Sequence, residues 1–226
     1  SVIMLKLEGQ LIKAHPEYGM NDRLLLDKMD VKTGHVIWEG IKYSLNDNDF
    51  PTVDPKDPYT LTEEEKAVMK ELRAAFLNSA QLQKHVKFLY EKGSMYRVFN
   101  GNLLYHGCIP FNAHGKFDRM EFDGKVYQGK AYLDYADSMA REAFLKKTPE
   151  AVDFMWFLWS GRKSPLCGRN IRTFERMFLD DERTWREESN PYYKFYHQEE
   201  VCNMILGEFG LHSETSHIVN GHTPVK

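Results

Sequence analysis

Leu103-Leu104-Tyr105-His106-Gly107 and His217-Ile218-Val219-Asn220-Gly221-His222 are built alike, each a short apolar run that reads as a strand and carries histidine and glycine at its end. A strand end holds a side chain rigidly at the rim of a sheet. An adjacent glycine lets backbone or ligand approach closely, which is what a metal site asks of an imidazole. Either histidine alone says little, because the chain has nine and most histidines are surface or core residues. The shared setting singles out His106 and His222 as candidate metal ligands.

Outward from these two stretches, short strands and helices interleave. Met95 to Phe99 reads as a strand, and before it Thr60 or Thr62 followed by Glu63-Glu64-Glu65 opens a helical pair over roughly residues 61–92, closed by Gly93. Val68, Leu72 and Ala75, then Leu82, Val86 and Leu89, are the two stripes of that pair expected to be buried. Nearer the start, Val2 to Ile12 carries Ile3, Leu7 and Leu11 four apart and reads as a helix, with Ile3-Leu5-Leu7 alternation as the competing pattern. Val36-Ile37-Trp38 and Ile41-Lys42-Tyr43 flank a Glu39-Gly40 turn. Asn46 to Pro58 is an acidic loop. A calcium loop starting at Asp47 would need glycine sixth and glutamate twelfth, where Thr52 and Pro58 stand, so a solvated loop is the better reading.

Beyond His106, Asp123-Gly124 marks a hairpin, residues 131–147 and 149–159 read as helices with a Thr148-Pro149-Glu150 start, and Gln198 to Phe209 is a helix stopped by Gly210. Helices and strands do not alternate evenly enough for a doubly wound sheet. The expected fold class is therefore α/β in the mixed α+β sense.

Composition bounds the function. The chain has 226 residues, 42% hydrophobic and 28% charged, with a formal charge of −3, which fits a globular chain rather than a disordered or membrane-spanning one. No global field attracts nucleic acid or an anionic membrane, so neither is an expected partner. Cys108, Cys167 and Cys202 form neither a C-x-x-C pair nor an even framework, which suits a reduced, cytoplasmic setting.

One local exception to the acidic balance is the loop Ser160-Gly161-Arg162-Lys163-Ser164-Pro165-Leu166-Cys167-Gly168-Arg169-Asn170-Ile171-Arg172, with four cations within eleven residues. Arg162, Lys163, Arg169 and Arg172 are the candidate ligands for a substrate phosphate. A solvated rim loop is the alternative, with Asp153 and Glu175 near enough in sequence to neutralise part of the charge. Cysteine-phosphatase chemistry is excluded by spacing, since the sixth residue after Cys108 is His114 and after Cys167 is Thr173, where arginine is required. Neither G-x-x-x-x-G-K-[ST] nor G-x-G-x-x-G occurs, so nucleotide cradles are unsupported and metal-assisted chemistry remains.

Leu104-Tyr105-His106-Gly107-Cys108-Ile109-Pro110 resembles the strand–His–Gly–Gly element of calcineurin-like metallophosphatases, and Val219-Asn220-Gly221-His222-Thr223-Pro224 resembles their later Gly-His element. With Lys6-Leu7-Glu8-Gly9-Gln10, Arg23-Leu24-Leu25-Leu26-Asp27-Lys28, Thr173-Phe174-Glu175-Arg176 and the ending through Lys226, the ensemble is similar to the bacterial class III fructose-1,6-bisphosphatases. That resemblance implies a manganese-dependent, cytoplasmic gluconeogenic phosphatase that removes the 1-phosphate of a sugar bisphosphate by water attack between two metals. Only His106 and His222 carry over as ligands. The family's Asp-x-His, Gly-Asp-x-x-Asp-Arg and Gly-Asn-His elements, which supply the bridging carboxylate and the catalytic histidine, do not occur here, and no catalytic residue is assigned. The expectation is an interior fragment, itself inactive, with residues 1–100 a largely helical region bearing a short hairpin and residues 101–226 the truncated second half of a metallophosphatase core. Two alternatives stand beside it: a piece of another calcineurin-like phosphoesterase, and a non-catalytic oligomerisation or regulatory module that makes the chain a homo-oligomer through its capped helical pairs.

Overall fold

The computed structural model describes residues 2–212 and 214–222; Ser1, Ser213 and the Thr223–Lys226 end of the Gly-His element lie outside the described residues. In chain order the helices are α1 (Val2–Ala14), α2 (Glu63–Asn78), α3 (Ala80–Lys92), α4 (Gly129–Leu145), α5 (Pro149–Ser160), α6 (Thr173–Phe178), α7 (Tyr192–Phe195) and α8 (Glu199–Glu208). The strands are β1 (Met29–Asp30), β2 (His35–Trp38), β3 (Ile41–Ser44), β4 (Tyr96–Phe99), β5 (Asn102–Tyr105), β6 (Met120–Phe122), β7 (Lys125–Tyr127) and β8 (Ile218–Asn220). Mixed helices and small sheets are what the interleaved pattern led one to expect.

Two units divide the chain: Ser1–Lys87 with Arg172–Arg186, and Phe88–Ile171 with Glu187–Lys226. This division differs from the expected one at residues 100 and 101. The reason is α6, whose Phe174 and Phe178 join Leu5, Leu26, Val36 and Phe50 in the core of the first unit. A segment so distant in sequence returns because Phe174, Phe178 and Leu179 bury their side chains there, Phe178 against Phe50.

In the first unit, β1-β2-β3 is an antiparallel sheet turned at Glu39-Gly40, where both residues have positive φ (47° and 78°), as a two-residue type I′ turn requires. Helix α1 buries Leu5 and Ile12, Leu5 in the same core as Val36 of β2. Gly9 is glycine because a Cβ there would stand 2.0 Å from the Tyr59 ring. Lys6, on the same face, has no exposure; its ammonium donates to the Thr52 carbonyl and to Glu65 Oε2 at 2.8 Å. Glu65 is also the third residue of the capping box that starts α2: Thr62 Oγ1 accepts from Glu65 N at 3.2 Å and Glu65 Oε2 accepts from Thr62 N at 2.9 Å.

The helical pair forms where the sequence places it, but its stripes are not buried. Among the described residues α2 buries Glu65 alone and α3 buries none, with Val68 at 46%, Leu72 at 49% and Leu89 at 64% exposure. Capping and propensity make these helices; the contact on the pair is at the end of α3, where the Tyr90 ring stacks on Phe144 of α4 at 4.3 Å and its carbonyl accepts from Arg141.

In the second unit, α4 and α5 pack together over an aromatic cluster of Phe122, Tyr132, Tyr135, Phe154 and Phe157. The β6-β7 hairpin that carries Phe122 turns at Asp123-Gly124, both with positive φ. The second sheet has the order β4-β5-β8, antiparallel between β4 and β5 and parallel between β5 and β8. Leu103 and Tyr105 of β5 point into a core with Ile109, Phe111, Tyr192 and Ile205. Leu104, and by the same alternation His106, therefore belong to the opposite face.

Candidate functional site

The parallel pairing of β5 with β8 brings the two histidine stretches together. Leu103 faces Ile218, Leu104 faces Val219 and Tyr105 faces Asn220, so the chain leaves both strands at the same rim. There His106 Nε2 and His222 Nδ1 are 3.0 Å apart, with the rings crossed at 86°. The backbone fixes the pair: Gly221 N and His222 N both donate to the His106 carbonyl, and the Asn220 side-chain amide donates to the Gly107 carbonyl.

Gly107 is irreplaceable on steric grounds, since a Cβ would stand 2.2 Å from the Pro165 carbonyl oxygen, to which Cys108 N donates. Gly168 answers from the other side, at φ +60°, where a Cβ would lie 2.8 Å from Cys108 Sγ. The basic loop is thereby seated on the His-Gly turn. Asn190 locks it further: its N–H donates to Gly168 O, and its Oδ1 accepts from Phe111 N and Tyr192 N at 3.0 Å each. Cys108 is fully buried, and that burial pushes its thiol up, away from the reactive thiolate.

The 3.0 Å separation is that of a ring-to-ring hydrogen bond, and it is also the spacing of two nitrogens held at about 2.1 Å and a right angle by one cation. Partial burial lowers the His222 pKa first, and the neighbouring His106 and Arg169 lower it further, which favours the neutral ring that a cation needs. Among the described residues no group of three or more His, Cys, Asp or Glu side chains converges for a metal. The two imidazoles therefore have no third such side chain beside them among the described residues.

A cavity of about 280 Å³ beside His222 is lined by Cys167, Gly168, Arg169, Ser189, Tyr193 and Tyr196. Of the basic-loop residues, Arg169 lines this cavity and pairs with Glu187 at 3.6 Å. Arg162 pairs with Glu188 at 3.8 Å, and Lys163 with Asp118 at 2.7 Å. Arg172 belongs to the first unit, where it is buried against Glu175 at 3.1 Å and Glu39 at 3.4 Å, below the Trp38 ring. Every one of the four cations thus has a carboxylate counter-charge, and of the two acids that bracket the loop in sequence, Asp153 and Glu175, Glu175 is among these partners. Sequence reasoning missed Tyr193 and Tyr196; the Tyr192-Tyr193-Lys194-Phe195-Tyr196 run after Asn190-Pro191 was the available signal.

The chain belongs to the Firmicute fructose-1,6-bisphosphatase family, which matches residues 1–226. It is similar to the class 3 fructose-1,6-bisphosphatase of Clostridium novyi (strain NT), at 51% identity over 232 aligned positions, and to that of Clostridium tetani (strain Massachusetts / E88), at 49%. The chain is covered in full and spans 35% of the length of each of these relatives. No solved structure matches it.

Proposed function

We propose that this chain forms part of a metal-dependent hydrolase that removes a phosphate from fructose 1,6-bisphosphate, and that His106 and His222 are two of its metal ligands. The observation that carries this is the 3.0 Å approach of two imidazole nitrogens at neighbouring strand ends in a chain of this family. Manganese is the cation proposed, within a metallophosphatase-type two-metal centre of a cytoplasmic, gluconeogenic enzyme. Bound there, a divalent cation supplies Lewis acidity to a phosphoryl oxygen and activates water for attack.

The chain's own residues hold the pair rigid. The Asn220 amide on Gly107 O and the two N–H groups on His106 O fix both strand ends, so the backbone that carries the two rings is set before a cation arrives. The four basic residues enter this reading unequally. Arg169, on the cavity with His222, is proposed to meet the reacting phosphoryl group, and Arg162 and Lys163 follow from the same loop. Arg172 would support substrate only indirectly, through the buried ion cluster that holds α6.

The test has two arms. Purified chain with manganese and fructose 1,6-bisphosphate is expected to show background hydrolysis only, because the described residues supply neither a bridging carboxylate nor an acid for the leaving group. In the full-length family enzyme, His106→Ala and His222→Ala should each lower metal content and turnover with folding retained. Full metal content and unchanged rates in both variants would make the two histidines structural and remove the proposal's support. A second reading, association of copies through residues 61–92, is favoured by the exposure of Val68, Leu72 and Leu89 and is checked by sedimentation of the chain across concentration.

A further inference from the structure

The imidazole pair stands between two cavities, one lined by a cation already paired with a carboxylate and one by cations that, among the described residues, are not. On the His222 side the lining cation, Arg169, already faces Glu187. On the His106 side lies an open cavity of about 410 Å³, lined by Lys92, Ser94, Arg97, His106 and the β8 end at Asn220 and Gly221. Lys92 and Arg97 have no carboxylate partner among the described residues.

Strand register explains why Arg97 reaches this place. Arg97 pairs with Leu104, which pairs in turn with Val219, so the three form one row across β4, β5 and β8. That row lies on the face opposite the buried Leu103 and Tyr105. His106 follows Leu104 by two residues on the same face, a diagonal neighbour of Arg97 at the roughly 7–8 Å typical of such pairs. The Arg97 guanidinium sits over the Phe99 ring at 5.9 Å, a contact that occupies one face of the plane and leaves its N–H edge for an anion. Lys92 arrives from the last turn of α3.

Neighbouring carboxylates do not neutralise this pair, because they are already engaged. Asp134 accepts from Lys130 Nζ at 2.7 Å and from the Tyr96 hydroxyl at 2.8 Å. Asp137 accepts from Arg141 Nε at 2.6 Å and from Met95 N at 3.1 Å. Those bonds hold the carboxylates on the helix α4 side and leave the Lys92–Arg97 charge unopposed.

We propose that Lys92 and Arg97 form an anion subsite beside His106 that binds the phosphate of a sugar bisphosphate not undergoing hydrolysis. The identity of that ligand rests on the function proposed above; the anion site itself does not. A bisphosphate carries two dianionic ends, and the end held at the imidazole pair leaves the other to find cations of its own. Unopposed cations bind such a group without first displacing a carboxylate, which the basic loop cannot offer.

The test is a titration of this chain with inorganic phosphate, followed by amide and Arg Nε–H NMR shifts. Shifts are expected at Arg97, Lys92 and Ser94, and Lys92→Ala/Arg97→Ala should weaken phosphate binding by about tenfold or more. The charge-matched control Lys116→Ala/Lys125→Ala should leave the titration unchanged. Both cations of the subsite are on the surface, so the variants should fold, and their spectra report it directly. Phosphate affinity unchanged in the Lys92/Arg97 variant, or shifts confined to residues 162–169, would overturn the subsite. In the full-length enzyme the same double variant should raise KM for the bisphosphate while sparing a monoester such as p-nitrophenyl phosphate. If that enzyme proves inactive on fructose 1,6-bisphosphate while phosphate still locates at Arg97, the ligand assignment falls and the anion site stands. Turnover with no phosphate shift at Lys92 or Arg97 sinks the subsite alone.

Discussion

Helices α2 and α3 are made from the same local ingredients as α4 and α5, yet the two pairs have opposite fates. The first pair has the better start, a complete capping box at Thr62 and Glu65, while Thr148 before α5 makes no side-chain cap bond and turns its hydroxyl to Glu142 instead. Nevertheless α5 buries Ala151, Phe154, Phe157 and Leu158, whereas Phe76 of α2 and Phe88 of α3 are 63% and 62% exposed. Caps and charge placement decide whether a segment is helical. Burial is decided by whether another element arrives to cover it, and for α5 that element is the Phe122 hairpin together with α4.

The contrast can be broken most sharply by cutting a large ring from each pair. Phe157→Ala should cost about 3–5 kcal/mol, through lost transfer energy and an unfilled cavity. Phe76→Ala should change stability by no more than about 0.5 kcal/mol. Urea unfolding midpoints of the two variants measure the difference; equal losses would mean that α2 is covered in solution.

A smaller effect is expected where α2 is tied down. Replacing Glu65 by Gln leaves the buried Lys6 ammonium without its counter-charge and should cost roughly 3 kcal/mol. Burial pushes the Glu65 carboxyl up, but hydrogen bonds from Lys6, Thr52 and Thr62, with the Lys6 charge, outweigh it and hold the pKa below the ordinary 4.5. A depressed folded-state value means that this contribution is present above about pH 4.5 and is lost as pH falls through the lower folded value. The gap between wild type and Glu65→Gln should therefore narrow in acid. A gap constant from neutral pH down to acid unfolding would show that the ion pair contributes nothing.

The smallest effect separates the two caps. Thr62→Ala should cost about 1 kcal/mol and quicken hydrogen exchange in the first turn of α2, while Thr148→Ala should cost only a few tenths. Equal losses would remove the capping box as the reason α2 persists without a packed face.

These differences mark what was legible in the sequence. Helix starts at Thr62 and Thr148, the positive-φ turns at Glu39-Gly40 and Asp123-Gly124, and the stop at Gly210 are short-range facts, written in a few adjacent residues, and the structure has them all. The buried stripes were not legible, because amphipathic spacing describes a surface without naming its cover. Neither was α6 as part of the first core, since Phe174 and Phe178 pack against residues far away in sequence. In the site, the likeness of the two histidine stretches was readable, whereas the contrast between the paired loop cations and the unopposed Lys92 and Arg97 depends on which carboxylates fold back, and no spacing rule supplies that.

The parallel contact of β5 with β8 has a kinetic consequence. His106 and His222 are 116 positions apart, so their meeting closes a long loop that contains α4, α5 and the basic turn. Closing it is entropically costly and is rewarded only when the strands zip, which places this sheet among the late, slow events of folding. Any ligand that spans the two rings acts as a clasp on that loop, holding the native chain closed and slowing its opening more than its formation.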